Sequence, residues 1–140
     1  MNTHNTKTGY VDNIEALSIN NTHFRDVIYT TPELQLTLMS LKPGEDIGLE
    51  THDDITQFLR IEAGNGKVVL GDEELPVADG SSIIVPAGIL HNVINTGETD
   101  LKLYSLYTPP EHKHGITHET KEIAEERHAD EHFDGETSLG

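Results

Sequence analysis

The sequence contains no cysteine. That excludes a disulfide framework and any thiolate metal site, and it fits a reducing compartment. Positive charge is scarce: nine Lys and Arg stand against 25 Asp and Glu, a formal net charge of −16. Such a surface repels a phosphate backbone, so nucleic acid is not an expected partner. The acidity is not confined to one end, because residues 1–110 carry 16 acids against six bases and residues 111–140 carry nine against three. A polyanionic substrate is disfavoured for the same reason. No apolar run approaches the roughly 18 residues that a membrane helix needs. The first residues, MNTHNTKTGYVDN, lack an apolar signal core. A soluble, cytoplasmic protein without membrane contact is therefore expected. There is also no glycine-rich nucleotide loop and no acyl-transfer nucleophile motif.

What the chain does contain is a series of short β-rich runs cut by Gly and Pro. At 140 residues it reads as one domain, long enough to bury a core unaided. Residues 1 to about 22 are polar except for an apolar patch at Ile14–Ile19, read as a loose end that becomes an edge strand. Strands are predicted over Phe24–Thr30, Leu34–Leu41, Asp46–His52, Ile55–Ala63, Lys67–Gly71, Glu73–Ala78, Ser82–Pro86, His91–Asn95 and Leu101–Thr108. Asn65-Gly66 and Gly71-Asp72 each read as hairpin turns, and Pro76 belongs on an edge. Strands this short and this regularly punctuated predict an all-β sandwich or barrel. Pro109-Pro110 ends it. In residues 111–140, an acidic, His-containing tail, His118–His132 is helix-permissive with Thr120 as cap. Its apolar residues, Ile123, Ala124 and Ala129, are too few for a packing stripe, and the final GETSLG is expected to be disordered.

The chemistry concentrates in two stretches, Gly44–Gly64 and Gly80–Asn95. In a strand Glu50 and His52 share a face, and Gln57 opens the next apolar run. His91 opens a strand just after Pro-Ala-Gly. Two imidazoles, a carboxylate and one further oxygen form a ligand set for a divalent ion. The ordinary alternatives are a solvated histidine at His91, a surface acid at Glu50 in an already acidic neighbourhood, and a hydrogen-bonding amide at Gln57. By the same parity Leu59 and Ile61 go with Gln57, and Val93 and Asn95 with His91, predicting an apolar cavity over a polar metal floor. Only one of Tyr104 and Tyr107 can face inward. His112, His114 and His118 read as solvated tail histidines, with a lid or proton carrier as the alternative. Arg25, Arg60 and Lys102 are too dispersed for a phosphate site, and Arg60 should point out of the barrel.

These two stretches resemble the paired motifs of the cupin superfamily, G-x5-H-x-H-x3–4-E-x6-G and G-x5-P-x-G-x2-H-x3-N. Gly80, Pro86, Gly88, His91 and Asn95 match every fixed position of the second. Gly44, His52 and Gly64 match the first, while Glu50 stands where a His is usual and Gln57 where a Glu is usual. The resemblance implies a single antiparallel jelly-roll β-barrel over residues 1–110 with a short C-terminal helical tail. It also implies one divalent metal ion (Zn, Mn, Fe or Ni) on Glu50, His52, Gln57 and His91, a small-molecule ligand, and a homodimer. The ligand set is similar to that of zinc-dependent phosphomannose isomerases, which suggests a metal-dependent sugar isomerase or epimerase acting on a small polar metabolite. Those enzymes are much longer, and no basic clamp or dedicated base is evident in this chain. The two other readings are a non-haem iron dioxygenase and a non-catalytic module that binds a small ligand.

Overall fold

The computed structural model describes residues 4–127 and 130–140. Its elements, in chain order, are β1 (His4–Thr6), β2 (Gly9–Val11), α1 (Ile14–Asn20), β3 (Arg25–Thr30), β4 (Gln35–Leu41), β5 (Thr56–Ala63), β6 (Asn65–Leu70), β7 (Glu73–Ala78), β8 (Ser82–Val85), β9 (His91–Asn95), β10 (Leu101–Thr108), β11 (Thr117–His118) and α2 (Lys121–Arg127). A six-stranded antiparallel sheet, β11-β3-β4-β10-β5-β8, faces a three-stranded one, β7-β6-β9, and β1 pairs with β2 alone. This is the expected all-β jelly-roll barrel. Between the sheets lie Met39, Leu41, Leu59, Ile61, Val68, Val93, Leu101 and Leu103, each at most 2% exposed. Burying such a side chain contributes about 1.5–3 kcal/mol, so these apolar strands hold the barrel together.

The chain departs from the sequence reading in four places. Ile14–Asn20 is a helix rather than an edge strand, so helix is not confined to the residues after Pro110. Asn13 caps it by accepting from the Ala16 N–H at 2.9 Å, and the helix packs against β4, β5 and β10 with Ser18 buried. Asn65-Gly66 is not a hairpin, because β5 and β6 belong to different sheets and the chain crosses between them at Gly64. Gly64 takes φ 94° there, and a Cβ on Gly66 would sit 2.5 Å from the Ile94 carbonyl oxygen. Only glycine fits that approach.

The third departure is at Asp46–His52, which is no regular strand. It bridges β9 at Asp46↔Ile94 and Glu50↔His91, four residues spanning three, so one residue bulges out. Gly48, with φ 104°, absorbs it. The fourth is the C-terminal segment, which stays on the barrel. Thr117 and His118 pair with Asp26 and Arg25 of β3, and Ser138 exchanges hydrogen bonds with Thr30 at 2.8 and 2.9 Å. Thr120 caps α2 through the Ile123 N–H at 3.2 Å, and Ala124 is buried in the core. The expectation of apolar content at Ala129 lies outside the described residues. Gly71-Asp72 does turn the β6–β7 hairpin, with Gly71 at φ 62°, and Pro76 lies on the edge strand β7.

Candidate metal centre

The bulge at Gly48 delivers Glu50 directly opposite His91. Each of these residues donates its N–H to the other's carbonyl, at 3.0 and 2.9 Å, an antiparallel bridge that sets both side chains on one side. His52 follows two residues on, and its carbonyl accepts from the Gly88 N–H at 2.7 Å, tying it to the Pro-Ala-Gly turn. Ligand atoms of Glu50, His52 and His91 all lie within 4.8 Å of one another. The two imidazoles tilt at 53° with centroids 5.4 Å apart. Gln57 comes from β5, two residues after the buried Ile55, and is 2% exposed. Its amide nitrogen donates to Ser105 Oγ at 2.8 Å.

The hydrogen bonds fix the chemical state of the histidines. His91 Nδ1 lies 2.9 Å from the Ile89 carbonyl, which can only accept, so Nδ1 carries the proton. Its Nε2 then offers a lone pair, and that atom is buried with no hydrogen-bond partner. His52 Nδ1 lies 3.3 Å from the Glu111 carboxylate while Nε2 lies 3.6 Å from the Glu50 carboxylate. A proton on Nδ1 again leaves Nε2 as the free donor atom. Gln57 Oε1 is likewise buried without a partner. Leaving two such acceptors dry costs on the order of 1–3 kcal/mol each. A divalent cation on the Glu50–His52–His91 group would supply the missing partner of His91 Nε2, so the donor set of these three residues fits a metal.

One site neighbour has no signal in the sequence, and others take a place there that the sequence left open. Glu111 lies past the Pro-Pro that ends β10, yet its carboxylate backs His52. Tyr107, not Tyr104, faces inward: it stands opposite Gln57 in the β10–β5 ladder and is 4% exposed. Tyr104 instead pairs with Phe58 on the other face, 6.4 Å between centroids. Burial, reinforced by the Glu50 and Glu111 carboxylates, pushes the Tyr107 phenol well above its ordinary value despite Arg25 nearby. Its hydroxyl meets His112 Nε2 at 3.2 Å. His112 and His118 are buried, 7% and 1% exposed, rather than solvated, because the segment carrying them is laid back over the barrel. The cavity also differs from the prediction. Leu59, Ile61 and Val93 have the expected parity but fill the core, and Asn95 spends its amide on the Leu41 and Thr99 carbonyls. Open space of about 250 Å³ is lined by Glu50 together with Phe24, Arg25, Ile47 and Lys121.

Comparison with known proteins agrees with this fold. Residues 37–107 match the family model described as Cupin domain. The Bacillus subtilis protein YrkC is 52% identical over 118 residues, 80% of this chain, and the chain spans 63% of that protein's length. The crystal structure of BH2720 from Bacillus halodurans superposes with a TM-score of 0.82 at 49% identity, covering 83% of this chain and 92% of that one. A sugar phosphate isomerase of the cupin superfamily from Silicibacter pomeroyi shares the fold, with a TM-score of 0.55 at 20% identity over 64% of this chain and 62% of that one. The chain belongs to the cupin family.

Proposed function

We propose that this protein is a metal-dependent enzyme acting on a small polar metabolite, with Glu50, His52, Gln57 and His91 holding one divalent ion (Zn, Mn, Fe or Ni). The observation that carries the reading is the convergence of Glu50, His52 and His91 with His91 Nε2 buried and unpartnered; the buried, unpartnered Gln57 Oε1 supplies the fourth donor of the proposal. With one carboxylate against a divalent cation the centre keeps a formal +1 charge. A bound ion would supply Lewis-acid polarisation of a substrate oxygen. The protein's part is to orient the donors, through the Ile89 carbonyl and Glu111, and to hold a proton close by. Tyr107 is suited to that second role, because its burial keeps the phenol protonated and His112 is within hydrogen-bonding distance. Proton movement between a hydroxyl and a carbonyl at such a centre is isomerase or epimerase chemistry. The fold shared with a sugar phosphate isomerase is consistent with that class.

Two histidines and one carboxylate converging within 4.8 Å also favour a second reading, a non-haem iron dioxygenase. Oxygen consumption by the iron-loaded protein separates the two, and absence of any turnover leaves a binding module. On the first reading residues 1–110 carry the centre, residues 111–140 support it through Glu111, and the protein works in the cytoplasm as a homodimer, which sedimentation at micromolar concentration checks. The deciding test is elemental analysis. Wild-type protein should carry about one equivalent of metal, and His91→Ala and His52→Ala should lose it while remaining folded. His114→Ala should keep it. Full occupancy in His91→Ala would refute the assignment.

A further inference from the structure

We propose that the cavity between Arg25 and Glu50 receives a small molecule bearing a carboxylate, which the Arg25 guanidinium holds. Arg25 is 6% exposed, and no carboxylate among the described residues lies within ion-pair distance of it. A buried charge without a counter-charge is costly, and its retention here points to a ligand that supplies one. The guanidinium is also held in place. Its Nη1 donates to His118 Nδ1 at 3.3 Å, and because Arg only donates, His118 must carry its proton on Nε2, which lies 3.1 Å from Glu131. Phe24 lies under the cation with its ring centroid 5.3 Å away. These contacts fix one end of the guanidinium and leave Nε, buried, with no partner. Arg grips a carboxylate with two parallel N–H bonds, and Arg25 also lines the cavity.

The rest of the cavity narrows the ligand. Lys121, the second cation on its wall, is already neutralised by Asp46 and lies 3.9 Å from Glu125. One unspent positive charge suits a carboxylate better than a phosphate dianion, the more so in a chain of net charge −16. A volume of about 250 Å³, that of roughly eight liquid waters, suits a ligand of a few carbons. Ile47 and Phe24 give it an apolar flank. Because Glu50 both lines the cavity and belongs to the Glu50–His52–His91 group, a molecule anchored at Arg25 lies beside the proposed metal centre. That last step rests on the metal-centre reading, whereas the anion site itself does not.

Calorimetric titration of the protein as purified, its metal content measured in parallel, tests this with glycolate, malonate and succinate against ethylene glycol and inorganic phosphate. At least one carboxylate should bind, ethylene glycol should not, and Arg25→Gln should weaken the carboxylate at least tenfold without changing metal content. Arg25→Lys should retain part of the affinity, which guards against a folding defect in the Gln variant, and thermal midpoints of both should be recorded. Protein that, whatever its metal content, binds none of the carboxylates, binds phosphate more tightly than all of them, or binds them equally after Arg25→Gln would overturn the inference. Protein that holds no metal but loses carboxylate binding with Arg25→Gln would uphold the anion site and refute the metal centre instead.

Discussion

His52 Nδ1 stands 3.3 Å from the Glu111 carboxylate, so the imidazole that faces Glu50 on one side is braced by an acid on the other. A carboxylate behind a ligating histidine fixes its tautomer and makes its other nitrogen a better donor, and removing it typically costs 10–100-fold in metal affinity. Glu111→Gln keeps the size and loses the charge. Its metal affinity, measured by competition with a chelator, should fall by about that factor with stoichiometry unchanged at saturation. Unaltered affinity would mean that Glu111 merely fills space.

If the two unpartnered acceptors await an ion, metal should stabilise the fold. Binding to the folded state alone contributes RT ln(1 + [L]/Kd), about 2.7 kcal/mol at a hundredfold excess over Kd. The thermal midpoint should therefore drop on chelation and recover on adding the ion found by elemental analysis. His91→Ala should show neither change. A midpoint indifferent to chelator in the wild type would contradict the site.

A third expectation concerns the crossover between the sheets. Gly66→Ala places a methyl 2.5 Å from the Ile94 carbonyl and 3.0 Å from Leu101. Backbone cannot swing aside as a flexible side chain can, so β6 or β9 must shift, at a cost of about 1–3 kcal/mol. Denaturant melts should show the loss. Gly71→Ala is the comparison, since nothing lies within 4 Å of its Cβ and only its positive φ opposes the change.

The strands were legible because apolar alternation and Gly/Pro punctuation are local signals: β9 and β10 run over the predicted residues. The same holds for the approach of Glu50, His52 and His91, which motif spacing implies. The reading failed where tertiary packing decides. Asn65-Gly66 has hairpin chemistry, but which sheet the next strand joins is set by the close passage of Ile94 and Leu101, not by the turn residues. Ile14–Ile19 is apolar enough for either element, and the Asn13 cap settles it as helix. Glu111, His112 and His118 were out of reach for another reason. They lie beyond the barrel's last long strand, and polar composition there resembles a solvated tail until the chain is seen to fold back onto β3.

That folded-back segment should make stability fall with acid in two stages. His118 has its pKa held below the ordinary value by burial, opposed by Glu131 and assisted by Arg25 and Arg127. For a depressed group the unfolded chain takes up the proton first, so its stabilising effect is complete above the unfolded value of about 6.5 and declines as pH falls through the folded value. Asp46 follows at lower pH. Burial pushes its carboxyl up, but hydrogen bonds from Asn92 and Lys121 and the lysine's charge outweigh that and hold it below 3.8. Its contribution is therefore present above 3.8 and lost as pH drops below. Denaturant midpoints recorded from pH 8 to pH 3 should show a decline beginning near 6.5 that His118→Asn flattens, and a later one that Asp46→Asn flattens. The two variants should not exchange effects, because His118 acts on β3 and Asp46 on α2 and Asn92. A profile flat down to pH 5 in the wild type would mean that His118 takes up a proton in the fold as readily as in the unfolded chain.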